Sequence, residues 1–563
     1  MGLSSQHYAS VLTSAGLISA ADFAQLDQVA QTAKKPLEDV ILERKIVEEA
    51  QLGQLLAKAF KLPAVYLKDI SIPEDVFNLI PERIARTDRI VTFAKDATSV
   101  SVAMSSPSQS PTLALLAKKT GVGVKVFVTT DRDIENTLTQ YRKDLQKIVD
   151  GLLKDDPQTY RGESEDLPVA KIVDALVQTA HDEKASDIHM EPEEKRAIVR
   201  FRIDGVLHEV LSVSKYLHDR MVTRIKVLSS LRTDEHLAAQ DGKMKFEMDD
   251  RRLDIRVSIL PIVEGEKIVM RLLSSSAQKY SLADLGMNEV DLAKVQRAYS
   301  KSYGMVLSTG PTGSGKTTSI YSMLKVLNTR EKNLSSIEDP VEYRISGANQ
   351  VQVNTKTNLT FANGLRSLLR QDPNIIMVGE IRDGETAGIA VNAALTGHLV
   401  FSTLHTNDAA TAIPRLIDMK VEPFLVASTV NLIIAQRLVR KICDVCRISH
   451  TITMEELLKN LPEEIITKHY KPVGKTQEIR MYRGKGCKVC HMTGYSGRIG
   501  VYEVLEISKP IRELVAKRSD ADVISAQAIK EGMTTMLDDG LQKVAKGQTT
   551  IEEVLRVTKT EFL

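Results

Sequence analysis

Hydrophobic positions near the start of the chain follow a helical period that occurs twice. When the sequence is shifted by 29 positions, Leu12 and Phe23 fall on Ile41 and Leu52, with similar apolar spacing around each pair. We therefore expect two similar helical units that pack together. Short runs typical of strands follow (IVTFA, SVSVAM and VKVFV), together with a helical run (TLALLAKK). The pattern predicts an N-terminal α/β domain over residues 1–145.

A polar stretch separates this domain from the rest of the chain. Residues 154–168 (KDDPQTYRGESEDLP) contain two prolines and show no apolar periodicity. Such a composition is typical of a linker, because it offers no face that could pack on a core. We place the linker at 146–167.

After the linker the pattern changes from one amphipathic helix to strands. VAKIVDALVQTAHDEK has helical apolar spacing, whereas AIVRFRI and RLDIRVSIL read as strands. Turn residues punctuate these runs at Asp204-Gly205 and at Asp249-Asp250. A compact α+β domain with an antiparallel sheet is therefore predicted for residues 168–275.

Candidate chemistry begins in a third domain, which we place at 276–563. An apolar strand (GMVLSTG) leads into a glycine-rich loop, and the helix GKTTSIYSMLKVL follows. In a phosphate-binding loop of this spacing, backbone N–H groups enclose nucleotide phosphates, Lys316 neutralises them and Thr317 reaches Mg²⁺. The helix N-terminus adds partial positive charge. The predicted nucleotide-binding residues are Gly310, Pro311, Thr312, Gly313, Ser314, Gly315, Lys316, Thr317 and Thr318.

A Mg²⁺-nucleotide site also needs carboxylates at the ends of neighbouring strands. NIIMVGE ends at Glu380, which we expect to bind Mg²⁺ together with Thr317. SSIEDPVEY offers Glu338, Asp339 and Glu342 after another short strand. One of these carboxylates would orient the attacking water, since positioning and charge stabilisation dominate phosphoryl transfer. The spacing does not decide which one.

Two histidines flank the next apolar strand, in TGHLVFSTLHTND. A histidine at a strand end is more often structural than catalytic, but two of them in a phosphate-loop domain favour a contact with the γ-phosphate. His398 and His405 are therefore candidate site residues.

The four cysteines of the chain form two CxxC pairs separated by forty residues. In a reducing compartment, thiolates at this spacing are typical of one tetrahedral Zn²⁺ site rather than of two disulfides. Four thiolates close the coordination shell, so we expect a structural metal. The predicted zinc ligands are Cys443, Cys446, Cys487 and Cys490, in a subdomain at about 440–500.

Composition and charge narrow the classes of function. A length of 563 residues, with 43% hydrophobic and 26% charged positions, is typical of a folded protein with several domains. The 75 basic and 73 acidic residues give a net charge of +2, so no overall charge attracts nucleic acid. The start of the chain lacks a signal-peptide pattern, and no apolar run approaches the ~20 residues that span a bilayer. We expect a cytoplasmic protein.

Taken together, the motifs resemble a known family. GPTGSGKTT, IEDPVEY, LRQDPNIIMVGEIRD and TGHLVFSTLHTN follow the order of the Walker A, aspartate, Walker B and histidine boxes of the type II/type IV secretion ATPase superfamily. SDIHMEP, RFRIDG and QDGK lie upstream, and the cysteine pairs are similar to those of the PilB and GspE branch. The resemblance covers 168–563 and implies a RecA-like phosphate-loop ATPase core preceded by an α+β (PAS-like) domain. The N-terminal α/β domain resembles that of the same branch more weakly.

The resemblance assigns roles to individual residues. Glu380 would support Mg²⁺ and the catalytic water, and Glu342 would be the general base. Two arginines would reach the nucleotide from the preceding domain, although strand alternation alone would leave Arg256 on a solvated face. The residues implied to be catalytic are Glu342, Glu380, Arg256, Arg271, His398 and His405.

The resemblance also implies partners. Family members are hexameric rings, which implies a homohexamer that hydrolyses ATP with Mg²⁺ and moves one domain against another. The implied load is a polytopic inner-membrane platform protein with cytoplasmic assembly components, which would hold the ATPase at the inner face of the cytoplasmic membrane. The implied function is type IV pilus extension, with type II secretion as the alternative.

Two other classes of function remain as hypotheses. A hexameric nucleic-acid motor shares the RecA-like core, but the near-neutral charge and the lack of a recognisable nucleic-acid-binding module argue against it. We therefore expect no nucleic-acid partner. A nucleotide-gated sensor with negligible turnover is the third hypothesis.

The N-terminal domain departs from one family pattern. Relatives that bind cyclic di-GMP begin each repeat with Arg-Leu-Gly, whereas this chain has HYA at 7–9 and PLE at 36–38. Since the arginines that would stack on guanine and both glycines are missing, we expect no cyclic di-GMP binding. A protein-docking role is the simpler expectation for this domain.

Overall fold

In a computed structural model, the chain forms two compact units, and ten ranges of residues are described. The described residues are 5–32, 36–44, 46–107, 111–138, 145–154, 168–248, 251–273, 281–459, 461–470 and 478–558. The first unit comprises Met1–Asp144, Lys441–Gly497 and Val544–Thr550, and the second comprises Leu145–Arg440, Arg498–Lys543 and Ile551–Leu563. Within the described ranges, no helix has both the length and the apolar character needed to span a bilayer.

The first unit opens with two pairs of helices that repeat at the offset read from the sequence. Leu12 and Phe23 of the first pair share one buried cluster with Ile41 and Leu52 of the second pair. The expected packing of two helical units is therefore confirmed. The helices are α1 (Ser5–Ser14), α2 (Ala20–Thr32), α3 (Leu37–Glu43) and α4 (Glu49–Phe60).

A three-stranded sheet follows the helical pairs. Its strand order is β1-β2-β3, with β1 and β2 antiparallel and β2 and β3 parallel. The elements are α5 (Glu74–Phe77), α6 (Glu82–Asp88), β1 (Ile90–Lys95), β2 (Ser99–Met104), α7 (Pro111–Thr120), β3 (Gly123–Val128) and α8 (Asp131–Leu138). The strands and the helix α7 lie where the apolar runs placed them.

The second unit begins with the α+β domain, whose six strands form one antiparallel sheet in the order β6-β5-β4-β9-β8-β7. Its elements are α9 (Leu145–Lys154), α10 (Val169–Asp182), β4 (Asp187–Pro192), β5 (Arg196–Ile203), β6 (Val206–Ser214), α11 (Lys215–Leu228), β7 (Gln240–Met248), β8 (Arg251–Ile262) and β9 (Gly265–Leu273). The predicted turn at Asp249-Asp250 lies outside the described residues.

The predicted linker at 146–167 is only partly a connecting segment. Its first residues belong to α9, which buries Leu145 and Val149 in the core of the α+β domain. The apolar spacing of LQKIVDGLLK explains this helix, which the sequence interpretation overlooked because of the polar stretch that follows. Residues 155–167 lie outside the described part of the chain.

The core that carries the phosphate loop is a seven-stranded sheet in the order β12-β11-β13-β14-β10-β15-β18. The five central pairings from β12 to β15 are parallel. The elements are α12 (Glu289–Tyr299), β10 (Gly304–Thr309), α13 (Lys316–Leu327), β11 (Leu334–Glu338), β12 (Asn349–Gln352), α14 (Phe361–Leu368), β13 (Ile375–Val378), α15 (Gly384–Leu395), β14 (Leu399–Leu404), α16 (Ala412–Asp418), α17 (Pro423–Thr429) and β15 (Val430–Ile442). Carboxyl ends of parallel strands lie at one edge, which is where ligands bind in such sheets.

The cysteine segment, residues 441–497, groups with the N-terminal domain rather than with the ATPase core in which the sequence placed it. Its antiparallel hairpin packs against α3, where Arg447 forms an ion pair with Glu43. Its elements are β16 (Arg447–Thr453), α18 (Met454–Leu458), α19 (Glu463–Tyr470) and β17 (Glu478–Gly484). The chain then continues with β18 (Tyr495–Glu506), α20 (Lys509–Ala516), α21 (Ala521–Lys530), α22 (Met536–Ala545) and α23 (Ile551–Thr558).

Candidate active site

The phosphate loop connects β10 to α13, as the sequence predicted. Its glycines Gly310, Gly313 and Gly315 have φ angles of 143°, 78° and 91°, a region that favours glycine. The Lys316 ammonium donates to the carbonyls of Gly310 (2.7 Å) and Pro311 (3.0 Å). Burial lowers the pKa of Lys316, and the nearby carboxylate of Glu380 opposes that shift. The lysine is thus poised inside the loop, where phosphate oxygens would replace the carbonyls as its acceptors.

A buried glutamine from β15 holds this loop in place. The side-chain amide of Gln436 donates to the carbonyl of Ser314 at 2.7 Å, and the residue is only 2% exposed. The backbone of β15 also comes so close that a Cβ on Gly310 would lie 2.4 Å from the carbonyl oxygen of Gln436. The sequence interpretation missed Gln436, although a glutamine inside the apolar run VNLIIAQRLV was a usable signal.

The predicted carboxylate of Glu380 meets one of the two histidines at the carboxyl edge of the sheet. The Thr406 backbone N–H donates to the Thr309 hydroxyl at 2.9 Å, which ties the end of β14 to the start of the loop. His405 Nε2 consequently lies 3.2 Å from Glu380 Oε2, and the Arg382 Nε atom is 2.6 Å from the same oxygen. Glu380, His405 and the loop therefore form one cluster.

His398 does not join this cluster. It precedes β14, and its backbone carbonyl accepts from Gly304 at the start of β10, whereas the phosphate loop follows the end of that strand. Its ring Nδ1 donates to the carbonyl of Ala393 at 2.9 Å. A six-residue strand spans roughly 17–20 Å. Within the chain the structure therefore gives His398 a helix-capping contact, and the expectation of a γ-phosphate contact is wrong for it.

The acids of the aspartate box occupy different environments. Glu338 is buried, and its carboxylate accepts hydrogen bonds from Tyr321 and Ser336. Glu342 is partly exposed and pairs with Arg256, whose Nη2 atom lies 3.1 Å from Glu342 Oε2. Of these two carboxylates, only that of Glu342 is open towards a ligand. Burial therefore argues against Glu338 as the carboxylate that orients the attacking water, whereas Asp339, Glu342 and Glu380 stay candidates.

The second predicted arginine lies beside the first on the sheet of the α+β domain. Arg256 and Arg271 are directly paired residues of β8 and β9, and such pairs project from the same face. Arg271 Nε lies 3.0 Å from Asp187 Oδ1, and Arg202 approaches the other oxygen of that carboxylate at 3.5 Å. Asp187 belongs to the SDIHMEP motif and Arg202 to the RFRIDG motif. The sequence motifs alone predicted no role for either residue.

A cavity of about 420 Å³ opens beside the phosphate loop. Residues 311–314 form one wall, and the Asp204-Gly205 turn of the α+β domain contributes another. Two of its arginines bind Glu553, and although burial raises the pKa of that carboxyl, hydrogen bonds from them bring it to about 2. The arginines that line the cavity are Arg437, Arg440, Arg498 and Arg556. A cavity of this charge is complementary to an anionic ligand.

The four cysteines converge as predicted. All four sulfur atoms lie within 4.8 Å of one another. The Cys443–Cys487 and Cys446–Cys490 separations are both 3.8 Å, which is about the edge of a tetrahedron around a Zn²⁺ ion with Zn–S bonds of ~2.3 Å. The backbone N–H groups of Gly486 and Gly494 donate to two of the sulfurs. The donor set suits a tetrahedral thiophilic metal.

Comparison with protein families decides the affiliation of the chain. Residues 162–556 match the family described as "Type II/IV secretion system protein", and residues 60–147 match the "MshEN domain". The chain belongs to the type II/IV secretion system protein family. With its phosphate loop built as described above, it is an ATPase of the PilB and GspE branch of that family, as the motif order indicated.

Curated relatives come from both arms of this branch. The chain is 39% identical over 560 residues to a type IV pilus assembly ATPase PilB from Myxococcus xanthus, which covers 97% of each protein. It is 46% identical over 399 residues to a type II secretion system protein E from Pseudomonas aeruginosa, covering 71% of this chain and 77% of the relative.

A solved structure supports the fold over much of the chain. The Legionella pneumophila ATPase DotB aligns with 71% of this chain and 98% of its own length, with a TM-score of 0.52 and 20% sequence identity. At that identity the likeness concerns the fold alone. The multidomain α/β fold with a phosphate-loop core is therefore confirmed.

Proposed function

We propose that this ATPase is a hexameric motor that powers the extension of type IV pili through an inner-membrane platform protein. The observation that carries the proposal is the match to pilus assembly ATPases along the whole chain, at 97% coverage of this protein for the relatives from two organisms. The near-neutral charge of the chain supports a protein load rather than a nucleic acid.

In the proposed reaction, the phosphate loop and Lys316 bind the phosphates of ATP. Thr317 and Glu380 would hold Mg²⁺, whose oxygen preference they satisfy and which neutralises charge on the phosphates. Glu342 acts as general base for the attacking water, and His405 orients Glu380 through their 3.2 Å contact.

Arg256 and Arg271 supply positive charge to the transition state from the α+β domain. Both arginines are paired with carboxylates, Arg256 with Glu342 and Arg271 with Asp187. Binding of ATP offers them a more highly charged partner, so the α+β domain moves towards the phosphate loop when they transfer. That movement is the proposed link between hydrolysis and work.

The cysteine cluster is proposed to hold a structural Zn²⁺ ion. Its four sulfur atoms fill a tetrahedral shell and leave no position for a reacting ligand. The metal would stabilise the hairpin of β16 and β17 rather than take part in hydrolysis.

Type II secretion is the alternative, supported by the relatives named type II secretion system protein E. The distinguishing experiment deletes the gene in the source organism and measures surface pili and secreted enzymes separately. Loss of pili with normal secretion supports the proposal, and the reverse outcome selects the alternative. Complementation with Glu380→Gln, which removes the carboxylate and keeps the shape, should fail.

The biochemical test measures ATP hydrolysis by the purified full-length chain. Turnover should fall in Glu380→Gln, and a polytopic membrane partner should stimulate the wild-type protein. Stimulation by DNA or RNA instead would favour the nucleic-acid motor, and equally low rates in wild type and Glu380→Gln would favour the sensor. Titration with cyclic di-GMP should show no binding to the N-terminal domain.

A further inference from the structure

The proposed general base lies on a segment without regular secondary structure. Residues 339–348 connect β11 to the edge strand β12, and Glu342 is in the middle of this connection. Its carboxylate contacts Arg256, which the proposed mechanism moves towards the phosphates when nucleotide binds. The position of Glu342 relative to the phosphate loop therefore depends on what anchors the residues that follow it.

Gln350 on β12 anchors the residues that directly follow Glu342, and the Asn328 amide donates to the carbonyl of Ser346 further along the segment. The Gln350 amide nitrogen donates to the backbone carbonyl of Tyr343 at 3.2 Å, and its amide oxygen accepts from the backbone N–H of Ile345 at 2.7 Å. A single amide thus binds the main chain one and three residues beyond Glu342. Both hydrogen bonds are to groups that no strand pairing in this connection satisfies.

The Gln350 amide also contacts a buried carboxylate of the site. Gln350 Nε2 also lies 3.2 Å from Glu338 Oε1, and Glu338 accepts a hydrogen bond from Tyr321 of α13. The ring of Tyr321 packs edge-on against Tyr343, with centroids 4.5 Å apart. Since α13 begins at Lys316, these contacts relate the segment of Glu342 directly to the helix of the phosphate loop.

We propose that Gln350 is a positioning residue for ATP hydrolysis, which holds the Glu342 carboxylate at its working distance from the phosphates. The inference rests on the proposed role of Glu342 as general base. Gln350 does not touch the nucleotide site itself, so its effect passes through the main chain at Tyr343 and Ile345. A misplacement of a reacting group by about 1 Å costs on the order of 10²-fold in rate.

The test is a double-mutant cycle in the full-length protein. Turnover is measured in wild type, Gln350→Ala, Glu342→Gln and the double variant, and nucleotide affinity is measured with a fluorescent ATP analogue. We expect Gln350→Ala to lower kcat by roughly 10- to 100-fold with unchanged nucleotide affinity. In the Glu342→Gln background it should cause no further loss, because the group that it positions is gone.

A matched control comes from the same strand. Asn349 is exposed, and its amide donates to Asn333 on the far side from the aspartate box. Asn349→Ala should leave both kcat and affinity at the wild-type values. Gln350→Glu keeps the size and the oxygen that accepts from Ile345 but loses the donor, so it should also lower kcat.

The outcomes separate the two proposals. A wild-type kcat in Gln350→Ala overturns the positioning role. The same conclusion follows if Gln350→Ala lowers kcat by the same factor in the wild-type and the Glu342→Gln backgrounds. Wild-type kcat in Glu342→Gln overturns the general base and the positioning role that rests on it. If neither Gln350 variant folds, the residue is structural and the inference is wrong.

Discussion

At the residue scale, the site depends on polar side chains that lie behind the groups expected to touch the nucleotide. Gln436 binds the carbonyl of Ser314, and Gln350 binds the main chain beyond Glu342. Gln436 is buried, and a buried amide is costly unless it is hydrogen-bonded, so this side chain admits few arrangements of the phosphate loop. Gln350 is partly buried and restricts the aspartate-box segment through its hydrogen bonds. The glycines of the phosphate loop permit several backbone conformations, and the hydrogen bond from Gln436 to Ser314 restricts them.

Replacement of Gln436 should weaken nucleotide binding without removing any group that contacts phosphate. Gln436→Met keeps the approximate volume but leaves the Ser314 carbonyl without its buried donor, at a cost of about 1–3 kcal/mol. We expect roughly 10-fold weaker binding of a fluorescent ATP analogue. Gln527→Met, at a partly exposed glutamine on α21, is the control. Equal affinity in both variants would contradict a role for Gln436 in shaping the loop.

A pH-dependent contribution to stability is expected from Glu38. Burial raises the pKa of this carboxyl to about 7, although hydrogen bonds from Tyr8 and from the Arg132 backbone oppose the shift. A raised folded-state pKa means that the folded state holds the proton more tightly. The contribution of Glu38 to the free energy of unfolding is therefore fully present below the ordinary carboxyl pKa of about 4.5 and is lost as pH rises towards 7.

Hydrogen exchange of wild type and Glu38→Gln at matched pH tests this expectation. Protection of α1 and α3 should decline between pH 5 and pH 7 in wild type relative to the variant, since the amide of the variant does not titrate. A constant difference between the two proteins across that range would show that Glu38 does not titrate there.

At the element scale, the short helix α3 of the N-terminal domain packs against the cysteine segment through a buried ion pair. Arg447 of β16 is 1% exposed and pairs with Glu43 at the end of α3. Its guanidinium also donates to the carbonyl of Gly547 at 2.9 Å and lies over the ring of Tyr482 at 5.7 Å. The arginine is therefore the centre of the contact between α3 and the hairpin.

Removal of the arginine alone should loosen this contact strongly. Arg447→Met removes the buried guanidinium that pairs with the Glu43 carboxylate, and breaking a buried pair in this way costs about 3–5 kcal/mol. Hydrogen exchange in α3 and β16 should accelerate. The double variant Arg447→Met/Glu43→Gln removes both charges and should recover much of the protection. Similar protection in wild type and Arg447→Met would contradict the role of the pair.

Loss of the metal should act on the same elements. We expect the purified protein to contain Zn²⁺ and Cys487→Ser to lose it, with faster hydrogen exchange in the cysteine segment. Nucleotide affinity should be retained, because none of the four cysteines lies among the residues of the phosphate loop. Elemental analysis and exchange are the measurements, and loss of zinc with unchanged exchange would count against a structural metal.

At the scale of the whole molecule, the second unit contains both the ATPase core and the domain that would move against it. The two meet through Arg256 with Glu342 and through Lys243, whose ammonium donates to the Gln352 side chain at 3.1 Å. These contacts are polar and partly exposed, and exposed ion pairs are individually weak. The movement proposed above for the α+β domain would therefore break weak contacts at these positions.

Arg271→Ala should separate hydrolysis from binding. An arginine that stabilises the transition state contributes on the order of 10³- to 10⁵-fold to phosphoryl transfer, whereas the phosphate loop supplies the binding. We expect turnover to be abolished with nucleotide affinity retained. Arg297→Ala removes an exposed arginine that pairs with Glu506 and serves as the control. Substantial turnover in Arg271→Ala would contradict the proposed role.

The sequence by itself determined those features that are set by residues close together in the chain. The glycine spacing before Lys316, the helical repeat of Leu12 with Ile41 and the two CxxC pairs each specify a local geometry that survives in any context. The family resemblance added expected roles for Glu342 and Arg256, and the structure brings these two residues together.

Only the tertiary structure decided which distant side chains meet. Strand order and direction place His405 at the phosphate loop and His398 at the opposite edge, although both flank the same strand. The packing of β15 and β12 against that edge selects Gln436 and Gln350, and burial separates Glu338 from Glu342. Local spacing cannot encode these distinctions, because they arise from contacts between segments that lie far apart in the chain and share one core.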